Sequence, residues 1–251
     1  MKFYDKDCCK LYLGDCIKVM GGLKKESVDM IFADPPYNLS NDGITCKNGV
    51  MVSVNKGEWD KSKGFIEDYK YTKKWLKSCD RVLKYNGTIW ITGTYHNIHI
   101  VTFVLLELGY CIINEITWYK SNAAPNLSCR CFTASHETII WAKKSKKVKH
   151  KFNYLCMKEM NNNKQMRSVW TIPTTPKSEK KEGYHPTQKP KEILYRCILA
   201  STDEGDLILD PFAGSGTTGV VSKENKRKFI GVENEKEYIE LMKRRIETVE
   251  V

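Results

Sequence analysis

The stretch LILDPFAGSGTTGVV, residues 207–221, leaves this chain few folds to choose from. The apolar run Leu207–Leu209 reads as a buried strand, and Gly214, Gly216 and Gly219 give G-x-G-x-x-G at the start of a helix over Thr217–Glu224. A strand, a tight glycine turn and a helix in that order open a βα unit of a nucleotide-binding sheet, where glycines let backbone approach a ligand. Glu233 ends the next strand, Lys228–Val232, 23 residues after Asp210. An acid there accepts hydrogen bonds from ribose hydroxyls. The motif does not choose between NAD and another ribose-bearing cofactor, and glycines also serve plain helix–strand packing.

The rest of the chain repeats the alternation. Strands are predicted at Val28–Phe32, Thr88–Thr92, Cys111–Trp118 and Thr138–Ala142. Helices are predicted at Phe65–Leu83, Ile98–Leu108, Lys191–Ala200 and Glu235–Glu247, with stops at Tyr85-Asn86-Gly87 and Gly109. This pattern implies an α/β fold with a mainly parallel, doubly wound sheet, in one domain spanning 1–251. The Gly/Asn/Ser-rich connection 38–60 has no helical period, and its length marks a functional loop, expected to close over a target. No apolar run reaches the ~18 residues of a membrane span. The start, MKFYDKDCCKLYLGD, is too polar for a secretory leader, so a cytoplasmic protein is expected. The ten cysteines form no C-x-x-C pair and do not cluster with the five histidines, so reduced thiols and no metal are expected.

The net charge of +11 is confined to one segment. Residues 120–191 hold 16 Lys/Arg against 4 Asp/Glu, whereas the remainder hold 25 against 26. A single run such as Lys143-Lys144-Ser145-Lys146-Lys147 is ordinarily a solvated face. A whole segment of one sign, with Trp118, Tyr119, Phe132, Trp141, Phe152, Tyr154 and Trp170 interleaved, suits a polyanion, and nucleic acid is the expected partner.

What separates the cofactors is Asp34-Pro35-Pro36-Tyr37, at the end of the Val28–Phe32 strand and 176 residues before Asp210. A rigid turn needs neither the ring nor the second proline, and a dehydrogenase has no use for the tetrad. Alkylation of an exocyclic amino group does. The lone pair of adenine N6 is delocalised into the ring, so the nitrogen is a poor nucleophile. The Asp34 carboxylate and the Pro35 carbonyl can accept its two N–H bonds. That arrangement favours a pyramidal nitrogen facing the methyl donor and stabilises the charge that develops. The prolines hold the carbonyl without competing N–H donors, and Tyr37 offers a face to a base drawn out of the helix.

FADPPY and DPFAGSGTTG together resemble the amino-methyltransferases of DNA, which transfer a methyl group from S-adenosylmethionine. With DPPY first, the glycine motif last and the basic segment between, the order resembles the permuted β group of that family. NLSNDGITCKNGVMVSVNKGEWDK, KSNAAPNLSCRCFTASHETIIWAKK, NKQMRSVW and SEKKEGYHPTQKP are similar to the second methyltransferase of restriction systems that recognise GATC. Members of that subgroup methylate adenine N6 and also accept single-stranded DNA.

The resemblance implies a Rossmann-like methyltransferase fold, circularly permuted, with an inserted target-recognition region at about 120–184. It gives Asp34, Pro35, Pro36 and Tyr37 the catalytic role, with Asp34 also near the methionine end of the cofactor. Cofactor contacts fall to Asp210, Phe212, Ala213, Gly214, Ser215, Gly216 and Thr217, with Phe212 beside the adenine ring and Glu233 on the ribose. Asp15 and Cys16, in LYLGDC, match a segment that touches the cofactor adenine. His185-Pro186-Thr187-Gln188-Lys189 matches the segment at the methionine carboxylate, where Thr187 and Lys189 offer donors. Plainer roles stand beside these: Asp15 as a helix cap, Lys189 as a solvated cation, His185 as a loop-ordering ring. Lys120, Ser121, Asn122 and Arg130 are the candidates for DNA contact. The resemblance also allows for a homodimer and for a cognate restriction endonuclease that forms no stable complex.

The expected reaction is direct in-line transfer to adenine N6 of a flipped-out base, with no metal and no covalent intermediate, and none of the ten cysteines follows a proline. Cytosine N4 methylation can use the same tetrad, although the aspartate and the end-to-end resemblance favour adenine. A catalytically silent DNA-binding protein leaves Asp34 and Tyr37 unexplained, and an NAD-linked oxidoreductase leaves both the tetrad and the basic segment unexplained.

Overall fold

A computed structural model describes residues 1–38, 40, 44–47, 50–53 and 60–250. The N-terminal part comprises β1 (Lys2–Lys6), β2 (Cys9–Leu13), α1 (Cys16–Gly22), β3 (Val28–Ala33), the hairpin β4 (Ile44–Lys47) and β5 (Val50–Ser53), and α2 (Phe65–Val82). The middle carries β6 (Leu83–Gly93), α3 (Ile98–Glu107), β7 (Cys111–Tyr119), β8 (His136–Lys143), α4 (Tyr154–Met160) and β9 (Val169–Thr171). The C-terminal part is α5 (Lys191–Ser201), β10 (Leu207–Asp210), α6 (Thr217–Glu224), β11 (Lys228–Glu233) and α7 (Lys236–Glu247).

The main sheet runs β1-β2-β11-β10-β3-β6-β8-β7-β9. Its centre, β2 to β6, is parallel, while β8 runs antiparallel between β6 and β7. Alternate residues face opposite layers, as a sheet covered on both sides requires. Met30, Phe32, Ile208 and Phe229 pack in the layer of α5, α6 and α7. Ile31, Ala33, Leu209, Ile230 and Val232 pack in the layer of α1, α2 and α3. Each fully buried large apolar side chain contributes about 1.5–3 kcal/mol.

The two sequence motifs meet because β10 pairs directly with β3, Ile208 opposite Met30 and Leu209 opposite Ile31. From here the chain leaves in opposite directions. Helix α6 crosses one face toward β11, and α2 crosses the other face toward β6. A sheet of this kind binds its ligand outside the carboxyl ends of the strands at such a switch point.

Several expectations change. Tyr85-Asn86-Gly87 does not stop a helix: β6 begins at Leu83, straight after α2, and Gly87 lies inside it. A Cβ at Gly87 would come 2.7 Å from the Asp29 carbonyl, so close strand contact explains this glycine. Trp118, Trp141 and Trp170 belong to the core and not to a polyanion surface, with Trp141 stacked on Trp90 at 4.5 Å. The interval 120–184 supplies β8, which contains the strand expected at Thr138–Ala142, and β9 to the sheet. The β1–β2 hairpin, α4 and β9 had no sequence expectation. Of the loop expected at 38–60, residues 39, 41–43, 48–49 and 54–59 lie outside the described residues. Among the described residues, no helix is long and apolar enough to cross a membrane.

Candidate active site

The carboxyl ends of β2, β3, β10 and β11 border a cleft of about 490 Å³, within the usual range for a small-molecule site. Every cofactor residue expected from sequence except Gly216 lines it.

Asp210 ends β10 and is buried. Its Oδ1 accepts the Phe212 N–H at 3.0 Å and its Oδ2 accepts the Thr218 hydroxyl at 2.6 Å, which fixes the turn into α6. Burial pushes its carboxyl up to about 7. Gly216 opens α6 with φ +75°, and a Cβ there would lie 2.3 Å from Met242 Cγ, so its role is the turn itself.

Glu233, at the end of β11, accepts the Gly214 N–H on Oε2 at 2.8 Å and the N–H groups of Asn234 and Glu235 on Oε1. Oε2 retains a lone pair for a ribose hydroxyl. Burial raises its pKa against the pull of these donors. The Phe212 ring is held edge-on by Trp75, centroids 5.3 Å apart. Asp15 caps α1 by accepting the Lys18 N–H at 2.9 Å, and it also lines the cleft. Cys16 beside it is buried, which pushes its thiol up to about 12. His185 is buried against Tyr238, ring centroids 4.2 Å apart, and its Nδ1 accepts the Thr187 N–H at 3.2 Å.

Asp34 leaves β3 on the same side. Its Oδ1 accepts the Thr92 hydroxyl at 2.5 Å and lies 2.7 Å from the Tyr37 hydroxyl. Its Oδ2 accepts from Lys189 Nζ at 2.7 Å. Lys189 is therefore not a solvated cation. Its ammonium is buried between Asp34 and Glu137, 5.0 Å from the Tyr37 ring centroid. Burial opposes its charge, but the two carboxylates outweigh it and leave its pKa raised. Tyr37 is only 6% exposed, and burial, Asp34 and Glu137 push its pKa well up, so it remains a phenol donor. The Pro36 carbonyl accepts from Asn97 Nδ2 at 3.1 Å. Among the described residues, nothing donates to the Pro35 carbonyl.

Sequence reading missed four members of this site. Asp60 is buried and accepts the N–H groups of Tyr37 and Asn38 at 2.9 and 3.0 Å, so it holds the tetrad's backbone. Thr92 and Asn97 follow from β6. Glu137, on β8, meets Lys120 Nζ at 2.6 Å and Lys189 Nζ at 3.6 Å. Its burial raises its pKa, but the lysines outweigh that and lower it. The available signal was a lone acid entering an apolar strand in the basic segment. Lys120, a candidate for DNA contact, is tied into this cluster through Glu137. Ser121, Asn122 and Arg130 are exposed in the loop between β7 and β8, with Asn122 Oδ1 accepting the Thr174 N–H at 2.9 Å.

A ribose acid and an aromatic wall would suit many nucleotides. Asp34 adds to the same cleft a carboxylate that can accept hydrogen bonds from an amino group, so the cleft suits a reaction at such a group. The class so defined is that of S-adenosylmethionine-dependent methyltransferases with an amino acceptor. The cofactor fits these residues: Gly214 has φ +48° and a Cβ there would lie 3.1 Å from the His185 ring, so both backbone and space favour glycine at that wall. Residues 28–244 match the DNA methylase family, and the chain belongs to it. It is 54% identical over 246 residues to the Type II methyltransferase M2.DpnII of Streptococcus pneumoniae, covering 98% of this chain and 92% of that one. It is 52% identical over 235 residues to M2.MboI of Moraxella bovis, covering 94% and 86%. Among solved structures, the complex of M1.HpyAVI with S-adenosylmethionine is similar, with TM-score 0.70 and 28% identity over 95% of this chain and 98% of that one. The PvuII cytosine-N4-specific DNA methyltransferase shares the fold, with TM-score 0.74 and 19% identity over 96% and 86%. The protein is a DNA methyltransferase that uses S-adenosylmethionine.

Proposed function

We propose that the enzyme methylates the N6 amino group of adenine in GATC, on a base turned out of the helix, by direct in-line transfer. Bound S-adenosylmethionine supplies a methyl group already activated on a positively charged sulfur. The chain's part is to prepare the nitrogen. An ionised carboxylate offers about four lone-pair sites. Thr92, Tyr37 and Lys189 engage three at Asp34, which leaves one for an amino hydrogen. The Pro35 carbonyl is the second acceptor, and Asp60 and Asn97 hold the tetrad so that both acceptors keep their aim. Two fixed acceptors draw the amino hydrogens out of conjugation and stabilise positive charge on nitrogen as it forms. The observation that carries this reading is the Asp34 carboxylate, half-buried at the cleft with an acceptor site to spare.

Adenine is favoured over cytosine by the aspartate in the first tetrad position, and GATC by the end-to-end resemblance. Duplex DNA is the main substrate in this reading, and single strands are accepted too. Ser121, Asn122 and Arg130 face the DNA, together with exposed Lys146, Lys147 and Arg167. Exposed Phe65 and Ile66 on α2 and Phe103 and Leu106 on α3 support a homodimer. A cytoplasmic place beside a cognate endonuclease completes the reading.

Labelled cofactor and a GATC duplex, followed by nucleoside analysis, test it. N6-methyladenine is expected, and it is lost in Asp34→Ala while cofactor binding is at least partly kept. Label in N4-methylcytosine would overturn the adenine assignment. Wild-type activity in Asp34→Ala would remove the mechanism.

A further inference from the structure

Glu137 is a carboxylate buried to 7% exposure, a placement strongly disfavoured unless the charge is paired. Its Oε1 is taken by Lys120 Nζ at 2.6 Å. Its Oε2 lies 2.9 Å from the Tyr37 hydroxyl and 3.6 Å from Lys189 Nζ. These last two groups are also the partners of Asp34, at 2.7 Å each. Glu137 therefore competes with Asp34 for both. Tyr37 has one hydroxyl proton and two carboxylates within reach, so it can serve only one at a time. The four ionised groups, two acids and two lysines, balance in charge.

We propose that Glu137 is a positioning residue of methyl transfer: by taking the Tyr37 hydroxyl and sharing Lys189, it opens a further acceptor site on Asp34, on Oδ1 beside the one left on Oδ2, for an amino hydrogen of the target base. With Tyr37 turned to Glu137, Asp34 Oδ1 keeps only the Thr92 hydroxyl, and its second lone pair is open. Lys120 holds Glu137 from the far side, so the acceptor facing Tyr37 stays fixed. The proposal rests on the amino-methyltransferase reading but holds for adenine or cytosine alike. Neither Glu137 nor Tyr37 lines the cofactor cleft, which makes cofactor affinity an independent readout.

The test compares Glu137→Gln with wild type in steady-state methyl transfer, cofactor binding and pH dependence. Glutamine keeps the shape but loses the charge. A kcat lower by about 10- to 100-fold is expected, the cost of a misaligned acceptor, with cofactor Kd within about twofold. The pH profile adds a readout that a merely structural role would not move. Lys189 faces Asp34 and Tyr37 from the end of β3 and Glu137 from β8, with Lys120 behind Glu137. Without the second carboxylate Lys189 loses its proton more easily, so the alkaline limb of kcat moves to lower pH. A kcat within twofold of wild type, with an unmoved limb, would overturn the proposal. If Glu137→Gln fails to fold, Glu137→Asp decides: it keeps the charge but draws it back from Tyr37. A fall in kcat at unchanged cofactor affinity supports the proposal, and wild-type kcat overturns it. Wild type transferring no methyl to any amino group would instead sink the parent reading.

Discussion

Replacing Asp210 with asparagine should flatten the pH dependence of stability. In the folded protein burial lifts this carboxyl from an ordinary 3.8 to about 7. A folded-state pKa raised above the unfolded one gives a contribution that is fully present below the unfolded pKa. It is lost as pH rises through the folded pKa, because the unfolded chain then releases its proton first. Each pH unit inside that window is worth about 1.4 kcal/mol. Between pH 5 and pH 8, where the upper end of the window is already saturating, the loss is about 2.5 kcal/mol. Asparagine carries no such burden and keeps the local bonds: its Oδ1 still accepts the Phe212 N–H, and the Thr218 hydroxyl can turn from donor to acceptor. Urea unfolding of both proteins at pH 5 and pH 8, at one ionic strength, gives the comparison. Glu233 and the other titrating groups are common to both and cancel in the difference. The variant should gain about 2.5 kcal/mol relative to wild type between the two pH values. Parallel pH dependences would refute the reasoning and show that Asp210 is ionised in the fold at no cost.

Gly216→Ala should lower stability by about 2–4 kcal/mol, from overpacking and a side chain forced to positive φ. For a protein of this size that is a fall in Tm of roughly 5–15 °C by calorimetry, whereas an unchanged Tm would mean that Met242 and the turn relax freely. Binding to DNA should weaken steeply with salt. Four phosphate contacts alone predict about a 100-fold loss between 50 and 200 mM salt. A flat response in a fluorescence-anisotropy titration would mean that the basic segment has another purpose.

The parts legible in sequence were those with strong local signatures. The βαβ alternation and the α6 boundaries follow from periodicity and turn chemistry, while the meeting of DPPY with DPFAGSG was implied by the family resemblance. The β1–β2 hairpin was hidden because in CKLYL only Cys9 and Leu11 are buried, which leaves too little contrast. Helix α4 buries Met157 alone, and β9 has three residues, too short for any period. The tryptophans of the basic segment were misread because charge dominated the composition there, although β7, β8 and β9 each bury one. Asp60 and Glu137 were invisible for a different reason. Their meaning lies in partners 17 to 100 residues away, and no local pattern encodes such distances.

The antiparallel strand explains why the basic segment reaches the chemistry at all. In a sheet that was parallel throughout, the start of β8 would lie at the amino edge, far from Asp34. Because β8 runs against β6, pairing Thr138 with Gly93, its first residues sit at the carboxyl edge, and Glu137 arrives beside Tyr37. Strand β7 runs against β8 in turn, Tyr119 opposite His136, so Lys120 emerges at that same edge. The backbone bond from the Lys120 N–H to the Ser135 carbonyl, 2.8 Å, then closes the base of the intervening loop. Ser121, Asn122 and Arg130 belong to that loop. One reversal of strand direction thus sets an exposed loop, the proposed DNA-facing one, and a buried carboxylate on the two sides of a single ion pair, Lys120 with Glu137. A disturbance of the loop that pulls Lys120 outward would reach the methyl-acceptor site through Glu137, with no contact to the cofactor needed.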